Sequence, residues 1–201
     1  MRPLRLCEKH GLMRYNPDSS MWEFRAENYG ARIAEILALA GDGRRRMGLV
    51  VGRCVSTQAR DLVGRWKGAA LFDERPLRSA DFAEAVRSGL YLYLDCFEES
   101  HAIAQNIGSA TGSYWHGVLH RREPDFDNAR YWFRRVKDHP IFPRLRESWP
   151  RWEPLKFIEE CEQLRRRPDS AAAQALEETQ LAEWQLLLDY CCREAVELGG
   201  S

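Results

Sequence analysis

Apolar positions along this chain recur at intervals of three and four, and nowhere does a two-residue alternation persist beyond a few residues. That period is helical, so the pattern predicts an all-α protein. A first helix is expected from about Trp22 to Ala40, ended by Gly41-Asp42-Gly43. Met47 to Trp66 keeps the period more weakly, with glycines at 48, 52 and 64, and reads as a second helix. Phe72 to Leu77, interrupted by Pro76, reads as a loop. Asp81 and Glu84 have capping-box spacing. Behind them Phe82, Val86, Leu90, Tyr93, Leu94 and Phe97 form one apolar stripe, and this central helix is expected to run to about Ile107.

After a break at Gly108 to Gly112, a short helix is expected from Ser113 to Arg122. It stops at Glu123-Pro124, because proline disfavours the helical conformation of the residue before it. Asp127 then opens a helix from about Asn128 to Val136. His139-Pro140, Phe142-Pro143, Trp149-Pro150 and Glu153-Pro154 read as irregular connections. The last helix, about Ser170 to Leu198, carries Leu181, Trp184, Leu188, Cys191 and Ala195 at helical spacing, with Gly199-Gly200 as its stop. Arg165-Arg166-Arg167 reads as a solvated helix end, where cations suit the dipole. The whole is expected to be a single-domain irregular helical bundle over residues 1–201, with two short antiparallel helices around residues 113-136.

Composition fits this reading. The 201 residues suffice for one domain with a sizeable core, and 44% apolar with 30% charged residues are the proportions of a folded, soluble chain. The net charge of zero argues against general affinity for nucleic acid or an anionic membrane. Only four of the 30 basic residues are lysines, so the cations are mainly planar guanidinium forks suited to carboxylate and phosphate. The start has no apolar run of signal-peptide length, and no segment reaches the ~18–20 apolar residues of a membrane span. The six cysteines (7, 54, 96, 161, 191 and 192) form no Cys-x-x-Cys pair and are expected to be reduced thiols of a cytoplasmic protein. Cys7 and His10 make a Cys-x-x-His pair with no second pair to complete a zinc site. Four of the seven tryptophans fall between Tyr114 and Trp152, which suits a core or a homo-oligomer face.

Candidate chemistry concentrates between Glu98 and Arg135. Three of the five histidines, at 101, 116 and 120, lie within twenty residues of one another. Glu98 and His101 share a face of one expected helix, and His116 and His120 share a face of the next. Folded antiparallel, these helices bring together imidazoles and a carboxylate, a donor set for zinc or ferrous iron with a position left for water or substrate. A Glu-x-x-His pair is also the unit of carboxylate-bridged di-iron bundles, although those use two and this chain has one. His116-x-x-x-His120 lacks the metalloprotease base, since Gly117 stands where that motif has Glu. The same residues also suit a hydrogen-bonded polar core or a metal-free acid/base site.

Glu98, His101, His116 and His120 are therefore the candidate metal ligands, with Glu123 and Arg121 as candidate catalytic groups. Glu123 is placed as a further ligand or as a carboxylate that orients a histidine. Arg122, Tyr131, Trp132, Arg134 and Arg135 are the candidate ligand-binding residues, because aromatic rings interleaved with guanidinium groups can stack on a flat ligand or clamp an anion. On the same helix Phe126, Ala129, Phe133 and Val136 make a buried stripe. Tyr131 and Trp132 point away from it and need another burial partner or a ligand.

Gly117, Phe126, Ala129, Phe133 and Val136, with Pro140 one residue short of its usual place, resemble a tetratricopeptide helix pair over about 34 residues. No second copy occurs at that period, and His120 replaces a usual tyrosine, so the likeness implies local antiparallel packing rather than a repeat array. Trp115-His116-Gly117-Val118-Leu119-His120-Arg121-Arg122-Glu123, followed by Asn128-Ala129-Arg130-Tyr131-Trp132-Phe133-Arg134-Arg135, is similar to a family of bacterial proteins of about this size. That resemblance implies a grouping and no activity. The functional expectation is a metal-dependent small-molecule enzyme, hydrolytic or oxidative. The alternative is a non-catalytic helical module that recognises a peptide or protein through its Arg/aromatic helix; RNA binding is a weaker third.

Overall fold

The computed structural model describes residues 23–197. The Cys7/His10 pair, Trp22 and the Gly199-Gly200 stop lie outside the described residues. Among those described, nine α-helices follow in chain order: α1 (Ala31–Ala38), α2 (Thr57–Arg65), α3 (Ala80–Tyr93), α4 (Phe97–Ala104), α5 (Ala110–Arg122), α6 (Phe126–Val136), α7 (Phe142–Ser148), α8 (Pro154–Leu164) and α9 (Ala171–Ala195). Two 3₁₀ turns, Ala26–Tyr29 and Gly68–Phe72, precede α1 and α3. The all-α class holds. The one β-type pairing among the described residues is an isolated bridge between Leu77 and Val196.

The centre of the molecule is α5. Every residue from Thr111 to Arg122 is buried, with α6 packed along it and α3, α4 and α8 touching it. Its start is set by Ser109, whose hydroxyl accepts from the Gly112 amide at 3.2 Å. Two glycines permit the close packing. A Cβ on Gly112 would stand 2.1 Å from the Ile107 carbonyl oxygen, and one on Gly117 would stand 2.7 Å from the Phe133 ring. Phe133 therefore seats directly against the α5 backbone, with its ring edge-on to Tyr114 at 5.1 Å. The pairs His120–Asn128 and His116–Trp132 run in opposite chain directions. Hence α5 and α6 form the expected antiparallel pair.

Because α5 is buried all round, its arginines must be paired inside the protein. Arg122 donates from Nε to the Gly48 carbonyl at 3.0 Å, from Nη1 to the Leu92 carbonyl at 3.0 Å and from Nη2 to Asp95 at 2.5 Å. Arg121 is paired with Glu183 of α9. These contacts explain two departures from the periodicity reading. The expected helix from 81 to 107 is broken into α3 and α4 at Asp95, which adopts a left-handed φ of 58°. Aspartate tolerates that conformation better than most residues, and Arg122 holds its carboxylate there. Residues 47–56 are not helical either. Their carbonyls at Met47 and Gly48 accept from Gln180 at 2.9 and 3.1 Å, and Gly48 also accepts from Arg122, so side chains replace the helix ladder.

Other boundaries move for local reasons. The first helix is split at Gly30, whose φ of 118° lies outside the helical region. Ser79, not Asp81, caps α3, and Asp125, not Asp127, caps α6. The pairs Phe142-Pro143 and Glu153-Pro154, expected as irregular connections, instead open α7 and α8; in α8, Pro154 sits at the start, where the missing N–H is not needed. No helix among the described residues is long and apolar enough to cross a membrane.

Candidate metal centre

The turn at Asp95 reverses α4 against α3. Ser88 and Ser100 tie the two helices together, each hydroxyl donating to the other's carbonyl at 3.1 and 2.8 Å. This places His101 of α4 over the face of α5 that carries His116 and His120. One ring nitrogen from each of the three lies within 4.8 Å of the other two. His101 Nε2 and His116 Nε2 are 3.0 Å apart with their rings near perpendicular. The His116 and His120 rings stack at 4.9 Å. Ligand nitrogens around a tetrahedral zinc stand about 3.3 Å apart, given its bond lengths and angles, so this spacing needs little adjustment.

Each histidine has a distinct environment. His120 is buried, and its Nδ1–H donates to the Glu123 carboxylate at 3.0 Å. That contact fixes the tautomer and leaves the Nε2 lone pair free of a proton; Asn128 Nδ2 lies 3.0 Å from Nε2. His116 is buried under the Trp132 ring, stacked at 4.1 Å and 21°, and its Nδ1 has no hydrogen-bond partner. A buried ring nitrogen left so costs about 1–3 kcal/mol. His101 is half-buried, and Phe97 stacks on it at 5.9 Å. Burial pushes the His116 pKa down to about 4, helped by the neighbouring His120 and His101. Burial also lowers that of His120, against the pull of Glu123 and Asp125. Both rings are thus neutral near pH 7, the state in which imidazole binds a metal.

Of the expected ligands, the three histidines come together and Glu98 does not. Glu98 is exposed on α4 and stands outside the cluster. Glu123 is brought to His120 as an orienting carboxylate. Asp125, 3.9 Å from His120 Nδ1, joins it in a second, solvent-facing group. Arg121 and Arg122 are not brought to the site. Both are fully buried and spent on Glu183 and Asp95. Arg134 is exposed. Arg135 lies over the Tyr131 and Trp132 rings at 5.8 and 5.4 Å. The burial partner that Trp132 needs is therefore His116, while Tyr131 stays 51% exposed.

Sequence reasoning missed Asn128 and the stacking role of Trp132. The antiparallel hairpin, already expected, carries the signal for both, since it sets residues 128 and 132 opposite 120 and 116. His139 lies elsewhere, buried against Tyr114, Phe142 and Tyr190, with its Nε2 3.2 Å from the Thr111 hydroxyl. Burial lowers its pKa to about 4. The unfolded chain, with His139 near its ordinary 6.5, then binds more protons between pH 6.5 and 4. Stability is full above pH 6.5 and is lost as pH falls toward 4, by about 3 kcal/mol from this group. Urea unfolding of the wild type and His139→Gln between pH 7 and 4 should show their stability difference shrinking by that amount. A difference that stays constant with pH would count against the assignment.

Neither a protein-family model, nor a curated protein, nor a solved structure matches this chain.

Proposed function

We propose that this is a zinc-dependent protein in which His101, His116 and His120 hold the ion and a small molecule is hydrolysed or hydrated at it. The observation that carries this reading is the convergence of three ring nitrogens, one of them oriented by a carboxylate on its far nitrogen. That carboxylate–histidine–metal arrangement is the usual support of a ligating imidazole. With Glu98 outside the cluster, the donors are three imidazoles. This set favours zinc over ferrous iron, whose oxygenase sites use two histidines and a carboxylate. Three protein ligands leave a fourth position, where zinc lowers the pKa of bound water to about 7. Glu123 and Asp125, both solvent-exposed, are the groups nearest to relay a proton from the site through His120.

The test is metal binding by untagged protein. Dialysed against Zn(II) or Co(II), the chain is expected to retain about one equivalent, with the cobalt form showing the intense visible bands of a tetrahedral site. Both signals should vanish in His116→Ala and His120→Ala. A wild type that keeps no metal, with those variants merely less stable, overturns the proposal. A second reading draws on Tyr131, which stands exposed beside Arg135: α6 recognises a peptide or protein. In that case Tyr131→Ala abolishes partner binding while metal content is unchanged.

A further inference from the structure

We propose that Cys54 and Cys96 are a redox-active thiol pair that closes to an intramolecular disulfide in the presence of a small-molecule disulfide such as oxidised glutathione. The pair is distinct from the histidine cluster, and the inference does not rest on a bound metal. Cys54 lies in the irregular stretch before α2, and Cys96 is the residue immediately before α4. Their sulfurs are 2.6 Å apart, roughly 0.6 Å more than a disulfide bond. The backbones that carry them are already joined, because the Val55 amide donates to the Leu94 carbonyl at 2.9 Å. Bond formation therefore needs a small side-chain rotation and no rearrangement of helices. The other described cysteines, at 161, 191 and 192, are buried within α8 and α9.

The two sulfurs differ in a way that assigns their parts. Cys54 is half-buried and can be reached from solvent, whereas Cys96 is buried. Burial and the adjacent Cys54 sulfur raise the Cys96 pKa, and the Arg60 guanidinium works in the opposite direction. The attack thus falls to Cys54. Its sulfur, having lost a proton to solvent, bonds to one sulfur of the small disulfide, whose S–S bond breaks and releases the first small thiol. Cys96, as its proton leaves to water, then attacks the Cys54 sulfur and expels the second. Two protein S–H bonds and one external S–S bond become one protein S–S bond and two external S–H bonds, a two-electron oxidation of the protein. The bond would form at the root of the helix that carries His101, whose neighbour in the stack, Phe97, follows Cys96 directly.

The experiment uses the full, reduced chain in glutathione buffers of stepped redox ratio, followed by alkylation and non-reducing peptide mapping. A peptide pair joined through Cys54 and Cys96 is expected, reversible by dithiothreitol. Closing a loop of about forty residues should raise Tm by roughly 5–10 °C. Cys96→Ala should instead stop at a stable glutathione adduct on Cys54, and Cys54→Ser should give neither product. The proposal is overturned if the wild type accumulates the mixed adduct, pairs either residue with Cys7 or another cysteine, or keeps both thiols free at ratios that oxidise ordinary structural pairs.

Discussion

Replacing Glu183 by Gln is expected to cost the fold about 3–5 kcal/mol, because it leaves the Arg121 guanidinium charged and uncompensated in the core. Glu183 accepts from Tyr114 Oη at 3.0 Å, from Arg121 Nη1 at 3.3 Å and from Arg121 Nη2 in a shorter contact. Arg121 has little else to hold its charge. Gln180 Oε1 accepts from it at 3.2 Å, Phe157 offers its ring face at 4.5 Å, and Nε has no partner. The double variant Arg121→Met/Glu183→Gln is expected to recover much of the loss, since methionine fills the volume with no charge to bury. Urea unfolding of the two single variants and the double variant closes the cycle. If Glu183→Gln and the double variant are equally destabilised, the guanidinium was not relying on Glu183. Metal retention in the folded double variant separates the scaffold from the site, because Arg121 touches none of the three histidines.

That separation is where sequence reasoning was least able to see. Arg121 and Arg122 stand next to His120, and arginines are so rarely buried that a ligand-facing part was the natural expectation. What decides their fate lies far along the chain, in Asp95 and Glu183. The break between α3 and α4 is hidden for the same reason. Asp95-Cys96 interrupts an unbroken apolar stripe with neither glycine nor proline, and its cause is Arg122. By contrast, the ends of α5 and α6 at Arg122 and Val136 match the expected ones, while their expected starts, Ser113 and Asn128, fall late because Ser109 and Asp125 cap the helices at Ala110 and Phe126. The buried stripe of Phe126, Ala129, Phe133 and Val136 was legible, because period alone determines it. For the site, spacing placed His116 and His120 on one face, and a short connection brought His101 to them. Spacing also put Glu98 beside His101. It could not tell which side of that face would meet α5, and the fold turns Glu98 to solvent.

The same geometry ranks the substitutions around the proposed metal site. His120→Ala removes a nitrogen donor and is expected to weaken zinc binding by at least about 1,000-fold, with His116→Ala similar. Glu123→Ala removes no donor. It frees the His120 Nδ1 proton to solvent, loosens the ring and lowers its basicity, and is expected to cost about 10–100-fold. Glu123→Gln keeps an acceptor oxygen 3.0 Å from Nδ1 without the charge and should fall between wild type and Glu123→Ala. Competition titrations against a chelator, read with Zn(II), measure all four affinities. Stability gives an independent check, because Glu123 is 45% exposed at its side chain and its removal should hardly change unfolding of the metal-free chain. If Glu123→Ala binds zinc as tightly as the wild type, its carboxylate is a surface partner of His120 with no hold on the metal. If instead it loses as much as His120→Ala, Glu123 is a ligand, and the three-imidazole donor set must give way to one of histidines and carboxylate.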